Sequence, residues 1–449
     1  MKKLRIAMVG AGSGFVCSIV PELRDHPVFA DAEFRLLDIA PDRLALAGEA
    51  CRKGLDGAKN RVCAVAFTDR RAALDGCDYV ITACEQRRFA NWAKDIEIPD
   101  RHGVHQVMGE NGGPGGLIHG LRNIDMFKPI LKDMEAVCPE AWLLNFTNPM
   151  SILCTYFKNY SPIRALGFCH QVHGTFGLIA EQLGFPPGEL EVVSAGVNHL
   201  NWLFDIRRRG ARESYMDEFL AGVRASEYWK KHLDGIPTQT FTLEVLETFG
   251  MYPVGYDEHV IEFMPFFWTR DEWGEKGFES RLESCKRLAK ESFKAIEVTR
   301  LLGKKYEKPP FPVDNDHPYY KEKPCAAIVA LETNTPTYFD AVNIRNHGAV
   351  DNLPPDVILD VPALAVGGEV RSVHVGALPP GPLEICRRQT ALHEMIARAG
   401  HEGNGALAVQ ALCLDPYVRS LTQARNIWRD YKDEFADLLP SFCRDGDEK

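Results

Sequence analysis

A thiol and two imidazoles stand close together in the run Arg164–His173, which reads Arg-Ala-Leu-Gly-Phe-Cys-His-Gln-Val-His. Cys169 and His170 follow a predicted buried strand, and His199 ends another. A thiolate and an imidazole from separate strands can hold a divalent metal and leave positions open for substrate oxygens. A single cysteine after a strand is more often a small buried hydrophobe, and a single histidine a hydrogen-bonded core residue. Because the two residues follow separate strands, we nevertheless take Cys169 and His199 as candidate ligands of a catalytic metal.

The amino terminus carries a second feature that bears on chemistry. Leu4–Val9 is a short apolar strand, a glycine-rich turn follows, and helix-period apolar residues come next. Such a turn lets a pyrophosphate approach backbone N–H groups at a helix N-terminus. Asp38 comes 28 residues after Gly10 (38 − 10), at the end of the next strand, where a carboxylate binds ribose hydroxyls and repels a 2′-phosphate. The pattern predicts an NAD site formed by Gly10, Gly12, Ser13 and Asp38.

One departure weakens this signature. In the G-x-G-x-x-G spacing the third glycine position is Phe15, and Gly14 comes one residue early. The alternative is a glycine turn in a sheet that binds no cofactor. The strand–turn–helix context together with Asp38 favours the cofactor site.

Short apolar strands alternate with helical segments through the first part of the chain. This alternation predicts an α/β fold with a Rossmann-type doubly wound parallel sheet over residues 1–190. Residues 191–449 have a mixed pattern and are expected to form a second α+β domain for substrate binding and oligomerisation. Within it we predict antiparallel strands at Ala327–Leu331 and Ala341–Arg345, and a linker or mobile loop at Lys304–Pro324.

Composition limits the class of protein. The 449 residues carry a formal net charge of −10 without a basic stripe, which argues against nucleic acid as a partner. No apolar stretch approaches the roughly 20 residues needed to cross a bilayer. The 13 cysteines show no paired short spacing and are typical of reduced thiols. We expect a cytoplasmic enzyme that has no membrane partner.

Several motifs in order resemble glycoside hydrolase family 4, the NAD- and divalent-metal-dependent glycosidases. The matching segments run nearly from end to end of the chain: Gly10–Ser13, Asp38, Gly112–Gly116, Asn145–Pro149, Gly167–His170, Gly196–His199, Asp257–His259 with Glu262–Phe263, and Asn343–Pro354. The resemblance implies a fold like that of lactate and malate dehydrogenases, NAD and a metal that is commonly manganese as cofactors, and a homodimer or homotetramer.

The same resemblance implies roles for individual residues. Cys169 and His199 match the family's metal ligands, and Asn148 matches the asparagine that contacts sugar hydroxyls. His170 occupies a position where some members place a general acid, which suits an imidazole that titrates near neutrality. Glu110, in the second glycine-rich loop, is assigned to substrate binding. The catalytic base stays open between three residues of one segment, Asp257, Tyr256 and Tyr252.

The resemblance also narrows the substrate. Trp92 stands where the phospho-glycosidase branches carry an arginine, and an indole can stack on a sugar but cannot neutralise a phosphate. An unphosphorylated α-glucoside, α-galactoside or α-uronide is therefore expected. Arg87 and Arg88 either bind an anionic group of the substrate or are surface charges.

Family 4 chemistry implies a redox-neutral route to glycoside cleavage. The sugar is oxidised at C3 by NAD, a base removes the acidified C2 proton, the C1 leaving group departs, water adds, and the ketone is reduced again. The first alternative is an NAD-dependent dehydrogenase of a hydroxy acid or sugar, which would accumulate NADH. The second is a non-catalytic NAD-dependent sugar-binding protein. Retention of both Cys169 and His199 favours the glycosidase.

Overall fold

A computed structural model describes residues 2–230, 239–265, 275–290 and 324–443. Within these ranges all strands belong to one 12-stranded sheet. The strands are β1 (Arg5–Val9), β2 (Glu33–Leu37), β3 (Cys63–Phe67), β4 (Tyr79–Thr82), β5 (Trp142–Asn145), β6 (Arg164–Gly167), β7 (Leu190–Val197), β8 (Leu200–Arg208), β9 (Pro253–Val254), β10 (Thr337–Arg345), β11 (Ile358–Val366) and β12 (Glu369–Ser372).

Helices cover the sheet and connect most of its strands. They are α1 (Val16–Leu23), α2 (Pro41–Gly54), α3 (Arg70–Leu74), α4 (Arg88–Arg101), α5 (Gly113–Val137), α6 (Met150–Tyr160), α7 (Gln171–Leu183), α8 (Met216–Ala225), α9 (Thr240–Phe249), α10 (Asp257–Val260), α11 (Glu275–Lys290), α12 (Pro324–Thr333), α13 (Pro380–Glu402), α14 (Gly405–Leu414) and α15 (Leu421–Glu434). No helix of the described residues is long and apolar enough to cross a membrane.

The first six strands form a parallel half-sheet in the order β3-β2-β1-β4-β5-β6. Its strands are apolar on both faces because helices pack on both sides: Ala7 and Val9 of β1 join one core cluster, and Ile6 and Met8 join the other. The strand order reverses between β1 and β4, and ligands of doubly wound sheets bind at this point. The predicted Rossmann-type fold is confirmed.

The sheet continues without a break into antiparallel strands. β10 pairs with β6 where Asn343 lies beside Gly167, and β11, β7, β8 and β9 follow. The sheet has no room for a side chain at Gly167, because a Cβ there would lie 2.6 Å from Cys154 Sγ. The carboxyl end of β6 therefore meets strands that come much later in the chain.

The two antiparallel strands predicted within residues 191–449 have different outcomes. Ala341–Arg345 lies in strand β10, as predicted, whereas Ala327–Leu331 lies in helix α12 and the strand prediction there was wrong. A short apolar run that is buried has no periodicity to separate the two states. The predicted linker Lys304–Pro324 lies outside the described residues up to position 323.

A buried ion pair joins α4 to α5 beneath the parallel half-sheet. Arg122 donates to both carboxylate oxygens of Asp95, at 2.6 and 2.8 Å, and both side chains are almost fully buried. The Tyr431 hydroxyl donates to the Asp95 carbonyl at 2.7 Å, and the Arg122 guanidinium lies 4.2 Å from the centre of the Phe435 ring. The pair therefore ties α15 to the two helices that lead into the site.

Removal of one partner tests how much the Asp95–Arg122 pair contributes to the stability of the fold. Asp95→Ala leaves the Arg122 guanidinium buried without its counter-charge, so we expect the free energy of unfolding to fall by about 3–5 kcal/mol. The measurement is denaturant-induced unfolding followed by circular dichroism. Glu402→Ala removes the exposed partner of Arg398 and serves as the control, with no measurable change expected. Equal effects of the two substitutions would contradict the structural role of the buried pair.

Candidate active site

The amino-terminal glycine turn lies where β1 ends and α1 begins. Gly10 and Gly14 have left-handed backbone conformations, with φ of 85° and 84°. A Cβ on Gly10 would lie 2.4 Å from the Ala83 carbonyl, and a Cβ on Gly12 would lie 2.8 Å from an oxygen of Asp38. The turn thus depends on glycine for backbone conformation and for close packing, and it leaves the Ser13 side chain exposed.

Asp38 follows β2, as predicted, and its carboxylate lies against the glycine turn. One oxygen accepts a hydrogen bond from the Gly12 N–H at 2.8 Å, and the other accepts from the Ala40 N–H at 2.9 Å. The four predicted cofactor residues, Gly10, Gly12, Ser13 and Asp38, therefore lie together at one edge of the sheet. Contact of Asp38 with a ribose stays a prediction.

His199 occupies the two-residue turn between β7 and β8. Its φ of 71° is in the left-handed region, which costs a residue other than glycine on the order of 1 kcal/mol or more. The preceding residue, Asn198, anchors the turn: its N–H donates to Ser151 Oγ at 3.1 Å and its amide donates to Asp360 at 3.3 Å. These bonds hold the turn against the start of α6, near the carboxyl end of β6.

The two predicted metal ligands come together in this arrangement. Cys169 Sγ lies 3.4 Å from His199 Nε2, and both side chains are more than nine-tenths buried. Burial holds the pKa of His199 well below its usual range, and the neighbouring His259 lowers it further. The imidazole is therefore neutral near pH 7 and can donate a lone pair to a cation.

Two further ligand candidates surround the other side of the His199 ring. Ligand atoms of Glu110, His199 and His259 all lie within 4.8 Å of one another. His199 Nδ1 is 3.9 Å from a Glu110 oxygen and 2.7 Å from Asn111 Nδ2, and the His259 ring centre is 4.0 Å from that of His199. Glu110, His199 and His259, which we call the metal-capable cluster, offer a carboxylate and two imidazoles that suit a divalent transition metal, and the Cys169 thiol lies against the Nε2 side of the same His199 ring.

His259 was not among the residues to which the sequence assigned a role, and Glu110 was assigned to substrate binding. The sequence did contain a signal for His259, since it lies three residues before Glu262 in a conspicuous motif. Nothing in the local pattern indicated that the glycine loop after α4 would face the β7–β8 turn. The structure places Glu110 in the metal-capable cluster.

Charged side chains next to Glu110 hold it in position. Arg88 forms ion pairs with Glu85 and with Glu110, and Glu85 also lies 3.1 Å from His119 Nε2. Burial would raise the pKa of Glu110, but Arg88 and the nearby histidines outweigh it and hold that pKa well below its usual range. Burial also opposes ionisation of Glu85, yet His119 and Arg88 lower its pKa to about 2. Both carboxyl groups are therefore charged at neutral pH.

Asn148 and His170 lie at the same edge of the sheet. Asn148 lies in the loop between β5 and α6, where its backbone carbonyl accepts from Asn123 at 2.6 Å. Its side-chain Oδ1 is buried and has no hydrogen-bond partner in the described structure. His170 directly follows Cys169, occupies the N-cap position of α7, and is exposed to solvent. An acceptor without a donor and an accessible imidazole are what a sugar hydroxyl and a leaving group would need.

The three candidate bases lie in very different surroundings. Asp257 is buried, and its carboxylate accepts four hydrogen bonds, two from backbone N–H groups and two from hydroxyls at the start of α9. Burial raises the pKa of Asp257 to about 7, against the effect of these bonds. Tyr252 is fully buried in an apolar cluster. Tyr256 is half-buried, and its hydroxyl would lie 2.6 Å from a Cβ on Gly174, in the first turn of α7.

Trp92 and the two neighbouring arginines are engaged with other protein groups. The Trp92 indole N–H donates to the Met108 carbonyl at 2.6 Å, and the guanidinium groups of Arg88 and Arg281 lie 5.0 and 5.3 Å from its ring centre. Arg87 forms a surface ion pair with Asp437. The ring of Trp92 is thus flanked by cations, and stacking on a sugar stays a prediction.

Comparison with known proteins supplies the family. The model of the family 4 glycosyl hydrolases matches residues 5–185, and the model of their C-terminal domain matches residues 194–418. The chain belongs to the family 4 glycosyl hydrolases. The resemblance inferred from the motifs is confirmed, and this family 4 protein is a glycoside hydrolase.

Relatives cover the family 4 protein almost completely. An α-galactosidase of Bacillus subtilis is 30% identical over 98% of this chain and 100% of its own length. An α-galactosidase of Rhizobium meliloti is 29% identical over 96% and 87%, and an α-glucosidase of Erwinia rhapontici is 28% identical over 92% and 93%. The relatives span both of the regions matched by the family models.

Solved structures share the fold over the whole length. A putative glucosidase from Bacillus subtilis has a TM-score of 0.78 and 26% identity, and the match covers 96% of this chain and 100% of the other. A 6-phospho-α-glucosidase from gut microorganisms, solved with NAD and Mn²⁺, has a TM-score of 0.77 and 20% identity over 98% and 99%. At such identity the second likeness shows the fold alone.

Cation binding tests the cluster directly. We expect His199→Ala and His259→Ala each to weaken Mn²⁺ binding at least about tenfold, because each removes a donor from a site with few ligands. Isothermal titration calorimetry with MnCl₂ provides the measurement. His374→Ala, which removes an exposed imidazole paired with Asp351, is the matched control. Unchanged affinity in both cluster variants would show that Mn²⁺ does not bind there.

Proposed function

We propose that this protein cleaves small, unphosphorylated α-glycosides with the help of NAD and a divalent metal, bound side by side at the carboxyl edge of the sheet. One observation carries the proposal: the glycine turn and the metal-capable cluster are linked by adjoining aromatic rings. The Phe15 ring centre lies 4.7 Å from that of Phe146, which lies 5.6 Å from that of Phe168, the residue before Cys169. A sugar between the two sites could reach both.

The residues present fit both groups. The turn around Gly10 and Gly12 has no room for side chains, which suits a pyrophosphate at the N-terminus of α1, and Asp38 suits a ribose. Solved 6-phospho-glycosidases of this fold contain NAD and Mn²⁺. When bound, NAD would take up and return a hydride at C3 of the sugar, and the cation would stabilise negative charge on the sugar oxygens.

Roles for the protein side chains follow from this geometry. Cys169 and His199 would hold the cation, with Glu110 and His259 as further ligands. The unpaired Oδ1 of Asn148 would accept a hydrogen bond from a sugar hydroxyl.

Proton transfers would fall to His170 and Tyr256, which lie beside the first turn of α7. His170 is exposed beside Cys169, so it can protonate the departing group. Among the three candidate bases, the surroundings favour Tyr256, because Tyr252 lies in an apolar core and Asp257 already accepts four hydrogen bonds at the start of α9. Tyr256 would remove the C2 proton, and Asp257 would hold the segment in place.

The absence of a phosphate from the substrate is supported by two observations. Two guanidinium groups near the site pair with protein carboxylates: Arg88 with Glu85 and Glu110, and Arg87 with Asp437. Relatives along the full chain include α-galactosidases, an α-glucosidase and α-galacturonidases, although a probable 6-phospho-β-glucosidase of Bacillus subtilis is 27% identical. We also propose a cytoplasmic homodimer or homotetramer, in keeping with 13 free thiols.

The redox-neutral route has a distinctive isotope signature. Incubation with NAD, Mn²⁺ and a nitrophenyl α-glycoside in D₂O should release nitrophenol, place deuterium at C2 of the product sugar, and accumulate no stoichiometric NADH. Proton NMR of the sugar and absorbance at the NADH band measure these outcomes. A product free of C2 deuterium would contradict the elimination route, and stoichiometric NADH would identify a net dehydrogenase. The matching 6-phosphate serves as a comparison and should be cleaved far more slowly.

The choice of base predicts different effects for neighbouring residues. Tyr256→Phe should lower kcat about 10²-fold or more, because it removes the proton acceptor while leaving the ring in place. Asp257→Asn should instead lower the free energy of unfolding by about 1–3 kcal/mol, through disrupted hydrogen bonds at α9, with kcat reduced much less. Steady-state kinetics and denaturant unfolding separate the two. Normal turnover in Tyr256→Phe together with loss of turnover in a stably folded Asp257→Asn would reverse the assignment.

A further inference from the structure

Glu262 is a fully buried carboxylate that lies directly behind the metal-capable cluster. One of its oxygens accepts hydrogen bonds from three consecutive backbone N–H groups of the glycine loop, at 2.6, 2.6 and 3.2 Å, those of Glu110, Asn111 and Gly112. Its other oxygen lies 2.8 Å from His259 Nδ1. Both oxygens are thus engaged, and the position of the carboxylate is fixed by the loop and by the histidine together.

These bonds connect Glu262, directly or through one residue, with Glu110, His199 and His259 of the metal-capable cluster. It binds the backbone of Glu110 and the ring of His259 directly. It reaches His199 through Asn111, whose backbone N–H it accepts and whose side-chain amide lies 2.7 Å from His199 Nδ1. A single side chain is therefore in contact with two ligand candidates and one residue away from the third.

Local geometry explains why this arrangement is possible. His259 lies in α10, and Glu262 lies in the turn that follows, where its N–H donates to the His259 carbonyl at 3.1 Å, so their side chains lie side by side. The loop can approach closely because Gly112 has no side chain: a Cβ there would lie 2.6 Å from the Glu262 carbonyl oxygen. Close approach brings the three N–H groups to one carboxylate oxygen.

We infer that Glu262 is a positioning residue that organises the metal site, a role that rests on the metal dependence proposed above. A carboxylate accepts hydrogen bonds only, so His259 must carry a proton on Nδ1, and the neutral ring then presents the lone pair of Nε2. The same carboxylate holds the glycine loop so that Glu110 and Asn111 face His199. Glu262 does not touch the substrate or the cation.

Glu262→Gln tests this role with little change of shape. The amide oxygen can still accept from the glycine loop, but the amide N–H₂ then faces His259. His259 would have to accept at Nδ1 and move its proton to Nε2, the nitrogen that a cation needs. We expect the Kd for Mn²⁺, measured by titration calorimetry without glycoside, to rise about 10- to 100-fold. Circular dichroism and the thermal midpoint of the apo-protein report whether the fold is retained.

Two comparisons test whether Glu262 affects Mn²⁺ binding through His259. Glu258→Gln changes a carboxylate of α10 that pairs with Arg281, and it should leave the Kd for Mn²⁺ unchanged. His259→Ala combined with Glu262→Gln should weaken binding less than the sum of the single effects, because the two act through one contact. If Glu262→Gln does not accumulate as folded protein, Glu262→Asp withdraws the charge by one methylene and gives the same comparison.

The outcomes separate this inference from the proposed function. Wild-type affinity in a folded Glu262 variant, or full additivity with His259→Ala, would overturn the positioning role even if glycosidase activity is found. Weakened Mn²⁺ binding in a protein that shows no NAD-dependent glycosidase activity would support the role of Glu262 and overturn the proposed function. Weakened binding together with activity that recovers at higher Mn²⁺ concentration is the expected result.

Discussion

The ion pairs that Arg88 makes with Glu85 and Glu110 hold the start of α4, the loop before it and the glycine loop together. Charges withdrawn from water are costly unless they are paired, so each group fixes the position of its partner. Glu85 is also paired with His119 on α5, whose Nδ1 lies 2.9 Å from the Glu110 carbonyl. Both the side chain and the backbone of Glu110 are thereby held, and the cluster around His199 depends on this.

The site also requires that the sheet continue from its parallel strands into its antiparallel strands. Antiparallel β10 pairs with the last parallel strand, β6, and β11 then carries the β7–β8 pair. This order returns the turn that contains His199 to the edge where Cys169 ends its strand. A second domain joined only by a flexible linker would not bring the two side chains to 3.4 Å.

Several features at this edge reduce stability. His199 has a left-handed backbone, and the buried side chains of Asn148, Asn198 and Gln171 each contain a polar atom without a partner in the described structure. Strain and unsatisfied polar groups of this kind concentrate at functional sites, where a ligand can supply the missing interaction. They lie close to the residues assigned to metal and sugar.

Features that depend on neighbours in the chain were predictable from the sequence alone. The strand–turn–helix at Gly10, the carboxylate of Asp38 after β2, and the strands on either side of His199 follow from local apolar periodicity and from glycine. The order of motifs indicated the family, and Cys169 and His199 were predicted as a pair. The helix at Ala327–Leu331 was missed because a short buried apolar run has no distinguishing period.

Tertiary structure decided which distant residues meet. Glu110, His199 and the His259–Glu262 pair come from three distant segments, and no local pattern encodes that the carboxylate beside His259 accepts from a glycine loop about 150 residues earlier in the chain. The surroundings of Asp257, Tyr252 and Tyr256 could not be distinguished from the sequence either. Burial and hydrogen-bond partners depend on packing between elements, and these determine whether a carboxyl or a phenol supports the fold or faces the site.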